Sequence, residues 1–102
     1  MKQTILAWAD RNQADFIHLS REIHAHPERS GEEHRAAALH ATLLRKNGFQ
    51  VQQPFLGLDT AFRAVYDSGH PGPCVAYLAE YDALPQLGHG CGHNLLGAVS
   101  TM

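Results

Sequence analysis

A chain of 102 residues, 44% of them hydrophobic, has material for one compact domain and too little for two. Its 8 basic and 10 acidic side chains leave a net charge of -2 with no basic run, which argues against nucleic acid or an anionic membrane as partner. Two cysteines, Cys74 and Cys91, cannot build a disulfide framework, and the apolar stretch after Met1 is too short for a secretory leader or a membrane span, so a soluble cytoplasmic protein is expected.

Residues 6–26 predict a helix: Phe16, Leu19 and Ile23 recur at helical spacing, Asp15, Arg21 and Glu22 take other faces, and Pro27 closes it. In SGEE, Ser30 and Glu33 have the spacing of a capping box, where the hydroxyl accepts from one free amide and the carboxylate reaches back to another. A second helix is expected over residues 31–47, with Ala36, Leu39 and Leu43 as its buried stripe and Lys46 followed by Gly48 as its stop. Residues 49–52 alternate as a short strand, residues 54–59 read as a loop, and residues 60–67 alternate as a half-exposed strand. SGHPGP is turn chemistry. Residues 74–79, CVAYLA, are apolar without interruption, as in a strand covered on both faces, and should pair with the strand before them. After Gly92, small and apolar residues predict a packed helix with no stop signal before Met102, so an incomplete domain is expected.

Histidine is over-represented, at 8 of 102 residues. In IHAHPE, His24 and His26 sit where the first helix ends, and imidazolium there complements the negative end of the macrodipole. That structural role is the better account of them, rather than a ligand set with Glu28. EYDALP begins where the apolar run stops, and ligands in open α/β sheets gather at the carboxyl ends of strands. Alternation lets Glu80 and Asp82 face one side, where a carboxylate can orient an imidazole or coordinate a cation. The same Asp82 can equally cap its own turn.

LPQLGHGCGHNLLG places His89, Cys91 and His93 at alternate positions with Gly88, Gly90 and Gly92 beside them. Thiolate and imidazole suit a borderline-soft divalent cation, and glycine lets near neighbours converge. Cys91 and His93 are therefore candidate ligands, although so few groups seldom close a site. A competing reading makes the run a glycine turn before a helix, with Cys91 buried and both histidines exposed. There is no GxSxG elbow, no phosphate-cradling loop and no serine with an evident base, so nucleophilic catalysis is not supported.

REIHAHPERSGEE followed by a helix, then AEYDALPQLGHGCGHNLLG, resembles the N-terminal part of the co-catalytic metallopeptidases of family M-twenty. The nearest branch is its amidohydrolases, of the aminoacylase, hippurate hydrolase, auxin-conjugate hydrolase and aminobenzoyl-glutamate hydrolase types. The likeness runs from about Arg21 to Thr101. By position it implies that Cys91 and His93 are metal ligands and that Asp82 is the catalytic acidic residue supporting the metal centre. His89 opens the HxCGH motif without being a ligand. Asn94, where many relatives have Asp, points to the aminobenzoyl-glutamate-hydrolase-like or dipeptidase-like side of the branch.

The resemblance also implies a pair of divalent metal ions, zinc or manganese, that lowers the pKa of a bound water. A downstream Glu takes its proton, and the hydroxide attacks an amide carbonyl. By the resemblance, the downstream Glu pair, the later His ligands and the lid domain are expected to lie outside residues 1–102. The expected fold is α/β: two N-terminal helices, part of a mixed sheet, a metal-binding loop and a final helix, together a partial catalytic domain of a co-catalytic metallopeptidase over residues 1–102. The expected activity is hydrolysis of small N-acyl amino acids or peptides, by a fragment inactive alone. The rival expectation is a non-catalytic metal-binding or interaction fragment that pairs with another chain through an exposed sheet edge, self-association included.

Overall fold

In the computed structural model, which describes residues 1–102, five elements follow in order: α1 Lys2–Ala25, α2 His34–Lys46, β1 Gln50–Gln52, β2 Arg63–Val65 and α3 His93–Thr101. Helix α1 starts four residues before the expected point, because nothing between Lys2 and Ile5 breaks a helix. It buries Phe16, Leu19 and Ile23, the residues its spacing selects. At its end the His26 ring donates through Nδ1 to the Glu22 carbonyl at 3.0 Å, as a histidine closing a helix should.

Helix α2 starts at His34, three residues later than expected, and the capping box does not form. Gly31 has φ +85, a conformation that no helix accommodates. The Glu33 carboxylate reaches back to the Gly31 amide at 2.9 Å and accepts from the Thr60 hydroxyl at 2.6 Å. Capping falls instead to Glu28, whose carboxylate accepts from the amides of Arg35 at 2.9 Å and Ala36 at 2.8 Å. One side chain thus satisfies two free donors and sets negative charge at the positive end of the helix. The stop is as expected: Gly48, at φ +88, donates to Arg45 at 3.0 Å and Phe49 donates to Leu44 at 3.1 Å.

The face of α2 that turns inward is Ala36, Ala37, His40, Ala41 and Leu44. Leu39 and Leu43 lie at its edge, half-buried against the core. That core joins Leu19 and Ile23 of α1, Ala36 of α2 and Ala98 of α3, with Tyr81 packed on it. Helix α3 crosses α1, where Asn94 donates to the Ser20 hydroxyl at 3.1 Å. On the surface, Arg35 pairs with Glu22 at 2.7 Å and ties α2 to α1.

Strands β1 and β2 pair antiparallel with Val51 opposite Ala64, and they are the only sheet. The expected strand at residues 74–79 is absent, as is its pairing with β2 and the mixed sheet it would have built. Those residues lie at the surface, with Val75 69%, Tyr77 78% and Leu78 88% exposed. A strand persists only where a neighbour takes up its amides and carbonyls, and after the 68–73 turn the chain meets none. No helix is long and apolar enough to cross a membrane.

His40 is the one histidine sealed in the core, and burial alone pushes its pKa from 6.5 down to about 4. The folded chain therefore keeps it neutral while the unfolded chain protonates it. Between about pH 6.5 and about pH 4 the unfolded state binds the extra proton, so stability falls as pH falls through that window. A displacement of that size amounts to about 3 kcal/mol. Urea unfolding of wild type between pH 7 and pH 4 should show this loss, and His40→Leu should have a flatter profile.

Candidate functional site

The site is built from the segment that follows the exposed apolar run. Ala83 donates its amide to the Glu28 carbonyl at 2.7 Å and lies beside Arg29 in an isolated parallel bridge. The DALP stretch is thereby pinned to the connection between α1 and α2. A tight turn follows, in which Leu84 donates to Gly88 at 2.9 Å and Gly88 returns a bond to Leu84 at 3.2 Å. Gly92, at φ +74, then turns the chain into α3 and accepts from the amides of Leu95 and Leu96, each at 3.0 Å. His93 becomes the first residue of that helix.

Its ring sits between two carboxylates. Nδ1 lies 2.7 Å from Asp82 Oδ1 and Nε2 lies 3.0 Å from Glu80 Oε2. The expectation that Glu80 and Asp82 work on one side holds, in that both reach the same imidazole. Carboxylate oxygens only accept, so Nδ1 donates to Asp82, whereas Glu80 lies close to Nε2 without hydrogen-bond geometry. The side chain of His93 is 24% exposed and that of Asp82 is 32% exposed, so the pair is partly sheltered from water.

The other two members of the histidine–cysteine run behave differently. Cys91 is exposed, as a free thiol, which removes the reading that buried it. His89 is the shielded one: both ring nitrogens are out of solvent without a hydrogen-bond partner, and its ring stacks on His24 with centroids 6.2 Å apart. Burial pushes its pKa below the usual histidine value. The neighbouring His24 and His93 act in the same direction, while Asp82 and the Ile23 carbonyl, close by but outside hydrogen-bond geometry, oppose it. His24 therefore does more than close a helix, since it covers His89.

Thiolate, imidazole and carboxylate are the donor types a divalent cation takes. The arrangement does not assemble them, however: no group of three or more His, Cys, Asp or Glu side chains is placed to hold a metal ion.

Reasoning from the sequence missed several supports. The spacing of SGEE drew attention to Ser30 and away from Glu28, whose carboxylate caps α2 and whose carbonyl holds Ala83. Tyr81 donates to the Thr60 carbonyl, and burial, helped by the charge on Glu33, pushes its pKa up to about 12. Its position between Glu80 and Asp82, pointing opposite to them, was a usable signal of a covered side chain. His40 and Thr101, hydrogen-bonded at 2.8 Å, are 61 residues apart and gave none.

No protein-family profile matches the chain. The chain is similar to the Xaa-Arg dipeptidase of Mus musculus, at 47% identity over 94 residues, and to that of Homo sapiens, at 39% over 92 residues, each alignment covering 79% of this chain. It is also similar to one of the subunits of the p-aminobenzoyl-glutamate hydrolase of Escherichia coli, at 35% identity over 109 residues and 90% of this chain. The chain spans about a fifth of the length of these relatives, 21% of the dipeptidases and 22% of the hydrolase polypeptide.

Proposed function

Because the chain belongs to the M-twenty family of amidohydrolases, we propose that it is the N-terminal part of a metal-dependent hydrolase of N-acyl amino acids or small peptides. The observation that carries this reading is the 2.7 Å contact between His93 and Asp82 at the start of α3. Asp82 accepting from Nδ1 fixes the ring and its tautomer, so that Nε2, beside the Glu80 carboxylate but not hydrogen-bonded to it, would turn its electron pair to a metal, the arrangement that metal-bearing histidines use. His93 and Cys91 would then be two of the ligands to zinc or manganese. Bound there, the metal supplies Lewis acidity and a water acidic enough to ionise near neutral pH. Three protein ligands are the usual minimum for a catalytic zinc, so residues outside this chain complete the centre. The relatives' names, a dipeptidase and an aminobenzoyl-glutamate hydrolase, share an amide whose nitrogen belongs to an amino acid. That linkage is the substrate class.

Three measurements test this division of labour. Elemental analysis of the purified chain should find zinc or manganese that Cys91→Ser diminishes, and Asp82→Ala should weaken metal affinity about 10- to 100-fold. Metal content and affinity indifferent to both changes would remove the ligand reading. Residues 1–102 alone should release no amino acid from an N-acyl amino acid; chelator-sensitive turnover by them would show that the centre is complete without further ligands.

A second reading is favoured by the apolar surface at residues 74–79: the chain pairs through it with a second protein surface, a copy of itself included. Sedimentation should then show association that rises with concentration and is weakened by Tyr77→Lys. A monomer at every concentration tested would dispose of self-pairing.

A further inference from the structure

His40 is used by neither the sequence pattern nor the proposed centre, yet it is 0% exposed on the inner face of α2. Its Nδ1 shares a hydrogen bond of 2.8 Å with the hydroxyl of Thr101, the last residue of α3. Its Nε2 is buried without a partner, against Gly97 of the same helix. A Cβ at Gly97 would lie 3.2 Å from that nitrogen and would collide with the carbonyl oxygen of Glu80. The ring of Tyr81 covers the imidazole, with centroids 5.1 Å apart. A leucine would fill this space without a buried nitrogen that has no partner, so filling space does not account for the residue. The polar and close contacts of His40 run to α3 on one side and to the Glu80–Tyr81 stretch on the other. Those two pieces carry His93 and Asp82.

We propose that His40 is a positioning residue for the candidate centre: it locks the last turn of α3 against the segment bearing Glu80 and Asp82, so that His93, at the far end of the helix, meets Asp82 in one orientation. The helix has nine residues and behaves as a short rigid bar, so a latch at Thr101 limits rotation at His93. Gly97 is the contact point that lets the bar lie close enough. The relevance to hydrolysis rests on the reading of His93 and Asp82 given above, whereas the pairing that His40 holds needs neither metal nor turnover to be observed.

The test is NMR of the histidine-labelled chain at neutral pH, combined with amide exchange. Wild type should show a protected His93 Nδ1 proton shifted downfield by Asp82, and absence of that signal would overturn the proposal, because no pairing would exist to position. Thr101→Val keeps the shape and removes the hydroxyl. It should broaden or abolish the His93 signal and speed exchange of the α3 amides about tenfold, with those of α1 and α2 unchanged. Thr101→Ser should restore both. The proposal is overturned if Thr101→Val leaves the His93 signal intact and α3 exchange within about twofold of wild type, or if exchange rises equally in all three helices. His40→Leu should repeat the Thr101→Val result; should it fail to fold, the Thr101 pair still decides. Failure of wild type to bind metal would sink the ligand reading of Cys91 and His93 and leave this result readable.

Discussion

The contact between His93 and Asp82 closes a loop across 11 positions of sequence, and the surrounding backbone is arranged around that closure. A hydrogen bond involving a charged group contributes about 1.5–3 kcal/mol. Closing a loop of that length costs about 2 kcal/mol in the length-dependent part of the chain entropy alone. The two roughly offset, so the side-chain contact cannot hold its own loop. What tips the balance is backbone: Ala83 bonded to Glu28, the reciprocal bonds between Leu84 and Gly88, and the packing of α3 across α1. Remove those and the same two side chains would meet only intermittently.

Three histidines show how the fold divides one residue type into different roles. His40, sealed among Tyr81, Phe62 and α3, stays neutral well into the acid range. His89 is half covered, with His24 as its lid and no partner for either nitrogen. His93 has a carboxylate at each nitrogen. Their side chains are identical, and the differences come from what the fold sets against each ring. His93 is the one flanked by carboxylates, and its hydrogen bond to Asp82 suits a ring held in a fixed direction.

The extent to which the sequence disclosed this follows from the range of the interactions involved. Periodicity is local, so Phe16, Leu19 and Ile23 could be assigned to the core, and the glycine stop at Gly48 could be placed to the residue. The start of α2 could not, because its cap is Glu28, reaching from outside the capping-box spacing. Residues 74–79 carry the composition of a covered strand, but composition does not supply the neighbouring ladder. At the site, alternation correctly set Glu80 and Asp82 toward one target. It could not fix where Cys91 lies relative to His93, for a physical reason. Glycine hinges permit convergence without favouring it, and a thiol and an imidazole gain little by meeting unless a cation lies between them. The imidazole gains more from two carboxylates, and that is where it lies.

The same limit bears on the exposed run that feeds the site. Fully burying a side chain of the size of valine, leucine or tyrosine contributes about 1.5–3 kcal/mol, so leaving Val75, Tyr77 and Leu78 in water forgoes on the order of 5 kcal/mol. That is comparable with the whole stability margin of many domains. Only 13 of 102 residues are buried, so the chain has little core with which to make up the difference. The run ends at Ala79, one residue before Glu80, so the site hangs between a segment without cover and a segment held at Ala83 by Glu28. Rigidity therefore reaches Asp82 from its C-terminal side, through the DALP turn, and from Tyr81, wedged between His40 and Phe62. Any surface that covers residues 74–79 would add the missing restraint from the N-terminal side, and in doing so would tighten the carboxylates around His93 without touching them.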